Sequence, residues 1–127
     1  MAKLVKIVVP VSDIEQAAKF YFNIFGIKGS RVSAGQHFFN LDDCILECYD
    51  PLADGDSLGQ GWMHHENQYI CFAVKNLDAT FIRVKNISDA ELESEIHQKE
   101  WGERLFYARD PFGNPICFID EKTVFYG

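Results

Sequence analysis

The chain has 127 residues, of which 47% are hydrophobic and 14% aromatic, and its net charge is −7 at pH 7. That length and composition fit one folded domain with a real core and exclude a disordered chain. The acid excess argues against nucleic acid or an anionic membrane as partner. It is compatible with a cationic ligand, although an acidic surface that only keeps a protein in solution is the commoner reason.

The first apolar run, Lys3 to Val11, is rich in β-branched residues and stops at Pro10, which predicts a strand. It is too short for a signal peptide or a membrane span. A helix is predicted from Asp13 to Phe25. Ser12 and Glu15 form a capping box, with Asp13 and Gln16 competing one residue on. Ile14, Ala17, Ala18, Tyr21, Ile24 and Phe25 recur at helical spacing and are expected to face the core, and Gly26 is the expected stop. Strands follow at 28–34, 36–41 and 44–49, with Asp42-Asp43 as the turn between the last two. Residues 50–68, DPLADGDSLGQGWMHHENQ, read as a long loop of the kind that covers sites.

A second set of elements begins near Tyr69. It comprises a strand at 69–74, a helix at 77–86, and strands near 91–96, 104–109 and 115–120. The third of these is the least determined, because Ser88-Asp89-Ala90-Glu91 is also a capping box and DAELESEIHQKE can propagate as helix. The strand is preferred because the second half then mirrors the first. Asp110-Pro111-Phe112-Gly113-Asn114 is turn chemistry: the Asp side chain can bond the backbone two residues on, Pro presets φ, and Gly supplies a positive φ. Lys6–Val11 aligns with Tyr69–Val74, and Ile45–Cys48 with Pro115–Phe118. The chain is thus read as a single domain, residues 1–127, of two βαβββ modules: about 1–50, a loop 50–68, and about 69–127. Four cysteines, Cys44, Cys48, Cys71 and Cys117, lie on strands without C-x-x-C spacing and are expected to be free thiols.

Side chains alternate along strands. Ile7, Val9, Val11, Leu46, Cys48, Ile70, Phe72, Val74, Ile116 and Phe118 are uniformly apolar and belong under the helices. The opposite set includes Lys6, Glu47, Tyr49, Tyr69 and Cys117 and mixes charge, phenol and thiol. That mixture suits a solvated pocket better than a core, or is simply an exposed face.

Two motifs carry a family resemblance. W-G-x-R-x-F-x-x-x-D-P-x-G-N-x-I, Trp101 to Ile116, resembles the closing hairpin of the glyoxalase/bleomycin-resistance/extradiol-dioxygenase superfamily, the vicinal oxygen chelate fold. Val11 to Gly26, with its V-x-D entry and FY…G exit, resembles the first helix of that family. The resemblance implies an α+β fold in which two βαβββ modules form an open half-barrel cleft with helices packed outside the sheets. The fold hosts lyases, dioxygenases, epimerases and binding proteins, so it does not fix function.

In metal-using members the ligands, usually His, Gln or Glu, come from the first and last strands of each module. Those places here hold Lys6, Glu47, Tyr69 and Cys117, of which only Glu47 keeps the ligand type. A lysine ammonium beside one carboxylate repels a divalent ion, and a zinc site gathers more donors than a lone thiolate. No metal and no cofactor is therefore expected. His37 and His97 fall outside the aligned places. His64-His65-Glu66 lies in the loop, where adjacent side chains point apart. Two readings of Lys6 stay open: an ion pair with Glu47, or extension into solvent. Cys117 as a nucleophile is weaker, since no histidine is placed beside it. Tyr49, Phe38, Trp62, Trp101 and Tyr107 are candidate ring contacts to a planar or cationic ligand, with core or dimer packing as the plain alternative. Arg104 can hold an anionic group or make a surface ion pair.

The combined expectation is a cytoplasmic homodimer that binds a small organic molecule without metal. Nucleic acid and membrane are not expected as partners. The alternatives are a metal-dependent lyase or dioxygenase using Glu47 with further donors, and a structural subunit with no ligand.

Overall fold

A computed structural model of the chain describes residues 1–57 and 63–127. The chain divides into two compact units, Met1–His64 and His65–Gly127. The first runs β1 (Lys6–Pro10), α1 (Ile14–Phe25), β2 (Ser30–Ser33), β3 (Gln36–Leu41) and β4 (Cys44–Tyr49), followed by a 3-10 turn at Pro51–Asp54. The second runs β5 (Ile70–Val74), α2 (Leu77–Lys85), β6 (Glu91–Leu92), β7 (His97–Gln98), β8 (Arg104–Arg109) and β9 (Pro115–Asp120). No helix of the described residues is long and apolar enough to cross a membrane.

In the first unit the sheet order is β1-β4-β3-β2, with β1 parallel to β4 and the other pairs antiparallel. In the second, β5-β9-β8-β6 repeats that order, with β5 parallel to β9 and β7 also paired to β8. The parallel pairs carry the same register as the internal repeat. Val8 lies opposite Glu47 in one unit, and Cys71 lies opposite Cys117 in the other. Both units are therefore βαβββ, α+β modules, with the second strand of the second module broken in two.

That break has a local cause. Glu93 N donates to Tyr107 O, but Tyr107 N donates to the Ser94 hydroxyl instead of a backbone carbonyl. A side chain thus stands in the ladder between β6 and β7, and pairing resumes only at His97. The helical alternative for this stretch is not adopted.

Helix α1 begins one residue later than the favoured capping box. Asp13 is the N-cap, and its carboxylate accepts from Gln16 N at 3.0 Å. Gly26 closes the helix at φ 74° with its N–H on Phe22 O, where any β-carbon would be strained. The buried stripe is Ile14, Ala17, Phe20, Tyr21 and Ile24. Phe20 replaces Ala18 and Phe25, which are only half-buried, because its ring meets Tyr21 edge-on at 4.9 Å.

The helix-side core of the first unit joins Tyr21 and Phe25 to Phe39 of β3. In the second, Phe81 of α2 lies against Phe106, which stacks on Phe118, itself stacked on Phe72. Burying such rings contributes roughly 2–3 kcal/mol apiece. Of the apolar set expected from alternation, Val9, Val11, Leu46, Cys48, Phe72, Ile116 and Phe118 are buried, while Ile7, Ile70 and Val74 are half-buried.

Candidate functional site

On the opposite face of the first sheet, Lys6, Glu47 and Phe38 converge. Register brings Glu47 between Val8 on one side and Phe38 on the other. Glu47 is 3% exposed. A bare carboxylate that deeply buried would cost several kcal/mol, so it needs compensation. The Lys6 ammonium supplies the charge at 3.0 Å from Oε1. Gln36 Nε2 donates to Oε2, also at 3.0 Å. Lys6 approaches Oε1 off the hydrogen-bonding direction, so that oxygen has a counter-charge but no directed donor among the described residues. The same ammonium lies 5.1 Å from the centre of the Phe38 ring, a cation–π contact.

Gln36 was not foreseen, yet the signal was there: it is two residues from Phe38 on the same strand face. Its amide oxygen accepts from the Ser33 hydroxyl, which also meets Asp54. Asp54 Oδ1 in turn accepts from Gly35 N at 2.6 Å, pinning the 3-10 turn to the sheet. Gly35 has no room for a side chain, since a β-carbon there would stand 2.0 Å from the Asp50 carbonyl oxygen.

Tyr49, at the end of β4, donates its hydroxyl to Asp56 at 2.6 Å. That bond, then desolvation and the carboxylates of Asp56, Asp54 and Glu47, push its pKa up to about 12. An ultraviolet titration is expected to show one tyrosine ionising near 12, and Asp56→Asn should bring it down toward the ordinary value. The folded pKa is raised, so the bond's stabilisation is present below pH 10 and is lost as pH rises through about 12.

In the second unit, Cys117 is 1% exposed and lies in a small cluster with Leu105 and Ile119, against which Tyr107 and Val124 pack. This corrects the expectation of a solvated face there, because Pro115, Cys117 and Ile119 are all buried. β9 is central in its sheet and is covered on both sides. Tyr69 is partly exposed, bonds Glu93 at 3.2 Å and meets the Tyr107 ring edge-on at 5.1 Å. Desolvation, then Glu93, raises the Tyr69 pKa. Lys99 stands over the Tyr107 ring at 5.2 Å.

Two further candidates fall elsewhere. Arg104 alternates with Leu105 and Tyr107, so it stands on the Phe106 side of β8. There it makes a two-pronged pair with Asp78 of α2 at 2.8 and 3.1 Å. Arg109, which alternation does put with Tyr107, was missed. It binds Glu93 and Glu66, each at 3.0 Å. Trp101 is 52% exposed and donates its indole N–H to Glu103 at 2.7 Å. Trp62 lies outside the described residues.

The places that supply metal ligands in metal-using relatives do not fit a divalent ion here. The one carboxylate among them is already paired with an ammonium, and no three His, Cys, Asp or Glu side chains of the described residues gather. The histidines do not alter this. His37 is buried on the helix side, with Nδ1 accepting from Arg31 Nε and Nε2 2.7 Å from Lys28 O. His65 accepts from Asn67 N in the loop.

Known proteins share this architecture. The chain is 29% identical to human mitochondrial methylmalonyl-CoA epimerase over 96% of its own length and 68% of that protein's. A glyoxalase/bleomycin resistance protein from Albidiferax ferrireducens T118 superposes with a TM-score of 0.75 at 22% identity, covering 92% of this chain and 97% of that one. Lactoylglutathione lyase from Agrobacterium tumefaciens does so with a TM-score of 0.71 at 19% identity, covering 96% of each chain. The family model of the Glyoxalase/Bleomycin resistance protein/Dioxygenase superfamily matches residues 3–118, and the chain belongs to that superfamily.

Proposed function

We propose that this protein binds a small organic molecule without a metal, on the polar sheet face that carries Lys6, Glu47, Phe38 and Tyr49. Tyr69, Tyr107 and Cys117 lie on the corresponding face of the second module. The observation that carries the reading is the Lys6–Glu47 contact of 3.0 Å at a buried carboxylate. The partly exposed ammonium, held in place by the buried carboxylate, presents donors to an organic guest, whereas a dication would have to displace the lysine. Phe38 adds a ring face beside them. The reading includes one domain across residues 1–127 and a homodimer in the cytoplasm. Exposed Leu4, Val5 and Val8, on and beside the edge strand β1, support association.

A second reading, a metal-dependent enzyme using Glu47 with other donors, is favoured by the likeness to proteins named methylmalonyl-CoA epimerase and lactoylglutathione lyase. Metal analysis of the purified protein, after exposure to zinc, nickel, manganese or iron, separates the two. Well under one ion per chain is the expected result. One tightly held ion per chain would overturn the proposal in favour of the enzyme.

A further inference from the structure

We propose that Cys71 and Cys117 form a peroxide-reactive dithiol, in which Cys71 is the thiol oxidised and Cys117 resolves it as an intramolecular disulfide. This goes beyond the ligand-binding reading and does not depend on it. The two residues are register partners across the parallel β5–β9 pair, so their side chains leave the sheet on the same face. Neighbouring strands lie about 4.8 Å apart, within the Cα separation that a disulfide accepts. The two thiols differ in access: Cys71 is exposed on an edge strand, while Cys117 is buried in the central one. The register partners of the other two cysteines are not cysteines. Cys48 lies opposite Val9 and His37, and Cys44 opposite Leu41.

The local electrostatics agree with these roles. Interaction with the neighbouring Cys117 thiol lowers the Cys71 pKa to about 7, against desolvation and the Glu103 carboxylate. The same interaction and burial push Cys117 up, with Lys99 opposing. Cys71, the exposed member of the pair, is thus the sulfur that an oxidant reaches first.

The Cys71 thiolate attacks one oxygen of a hydroperoxide. An S–O bond forms, the O–O bond breaks, and the leaving oxygen departs as water or alcohol after taking a proton. The Cys117 sulfur then attacks the Cys71 sulfenyl sulfur. The S–S bond forms, the S–O bond breaks, and hydroxide leaves with the Cys117 proton as water. Two thiols and one peroxide give one disulfide and, for hydrogen peroxide, two waters.

The test uses the full chain, reduced and then treated with hydrogen peroxide. Intact mass and non-reducing peptide maps should show the loss of two hydrogens and a Cys71–Cys117 link. In Cys117→Ser that link is absent, and dimedone should trap Cys71 sulfenic acid roughly ten-fold more than in the unmodified protein. Equal trapping in both, links through Cys44 or Cys48, or unoxidised thiols would overturn the proposal. Because Cys117 is a core position, Cys71→Ser at the exposed position is the independent arm. Cys117 should then stay reduced, and its oxidation at the original rate would remove Cys71 from its role.

Discussion

Asp110→Ala is expected to lower the stability of the protein by about 3–5 kcal/mol, because one buried carboxylate ties the whole closing turn. Asp110 is 3% exposed. Its Oδ1 accepts from Phe112 N and Asn114 N, both at 2.9 Å, and its Oδ2 accepts from Asn114 Nδ2 at 2.8 Å. The backbone closes the same loop, with Asp110 N donating to Asn114 O and Gly113 N to Asp110 O. Gly113 at φ 84° lets the chain reverse inside that ring of bonds. Alanine would remove the acceptor of Phe112 N, Asn114 N and Asn114 Nδ2 in a largely buried turn, at about 1–3 kcal/mol for each donor left unpaired. Asp110→Asn keeps one acceptor oxygen and should lose about half as much. Urea unfolding measures both variants, as a lower midpoint at unchanged slope. A loss for Asp110→Ala below about 1 kcal/mol would mean that the turn stands on its own.

Lys6→Ala is expected to cost about 1–3 kcal/mol, less than for a fully buried pair because the lysine is partly exposed. The reason is what remains: Glu47 would keep Gln36 Nε2 but lose its only ion-pair partner among the described residues. Removing the charge from both sides should therefore restore much of the loss. Lys6→Ala combined with Glu47→Gln is expected to be more stable than Lys6→Ala alone, and the double-mutant cycle reads the coupling directly. Additive losses would show the two groups to be energetically independent. Binding supplies a second readout. With an N-alkylpyridinium probe monitored by tryptophan fluorescence, Glu47→Gln should weaken association about ten-fold if the carboxylate faces the guest. An unchanged affinity would move the ligand away from this face.

Much of the architecture was legible along the chain. β3, β4, β8 and β9 begin and end where alternation and turn chemistry predict, at 36–41, 44–49, 104–109 and 115–120. Local rules suffice there because Asp42-Asp43 and Asp110 to Asn114 are self-contained turns, and a period of two sets each strand face. The repeat was legible too, since it rests on register, and register follows the hydrophobic pattern. Asp13 and Ser12 were not separable as caps, because both present an oxygen at the right spacing; the helix start decides between them. The strand near 91–96 depended on Ser94 taking a ladder position, which no periodicity records.

The sequence by itself determined the order of the elements and the apolar side of each strand, which depend on neighbours in the chain and on spacing; the four places where metal-using members hold their ligands came from the family resemblance. Only the tertiary structure decided that Lys6 reaches Glu47, that Gln36 donates to one oxygen of that carboxylate, that Cys117 is enclosed rather than open, and that Arg104 turns to Asp78. Contacts between residues far apart in the chain depend on which strands pair and how deeply each is covered. A central strand such as β9 can therefore bury a face that its own alternation would leave to solvent.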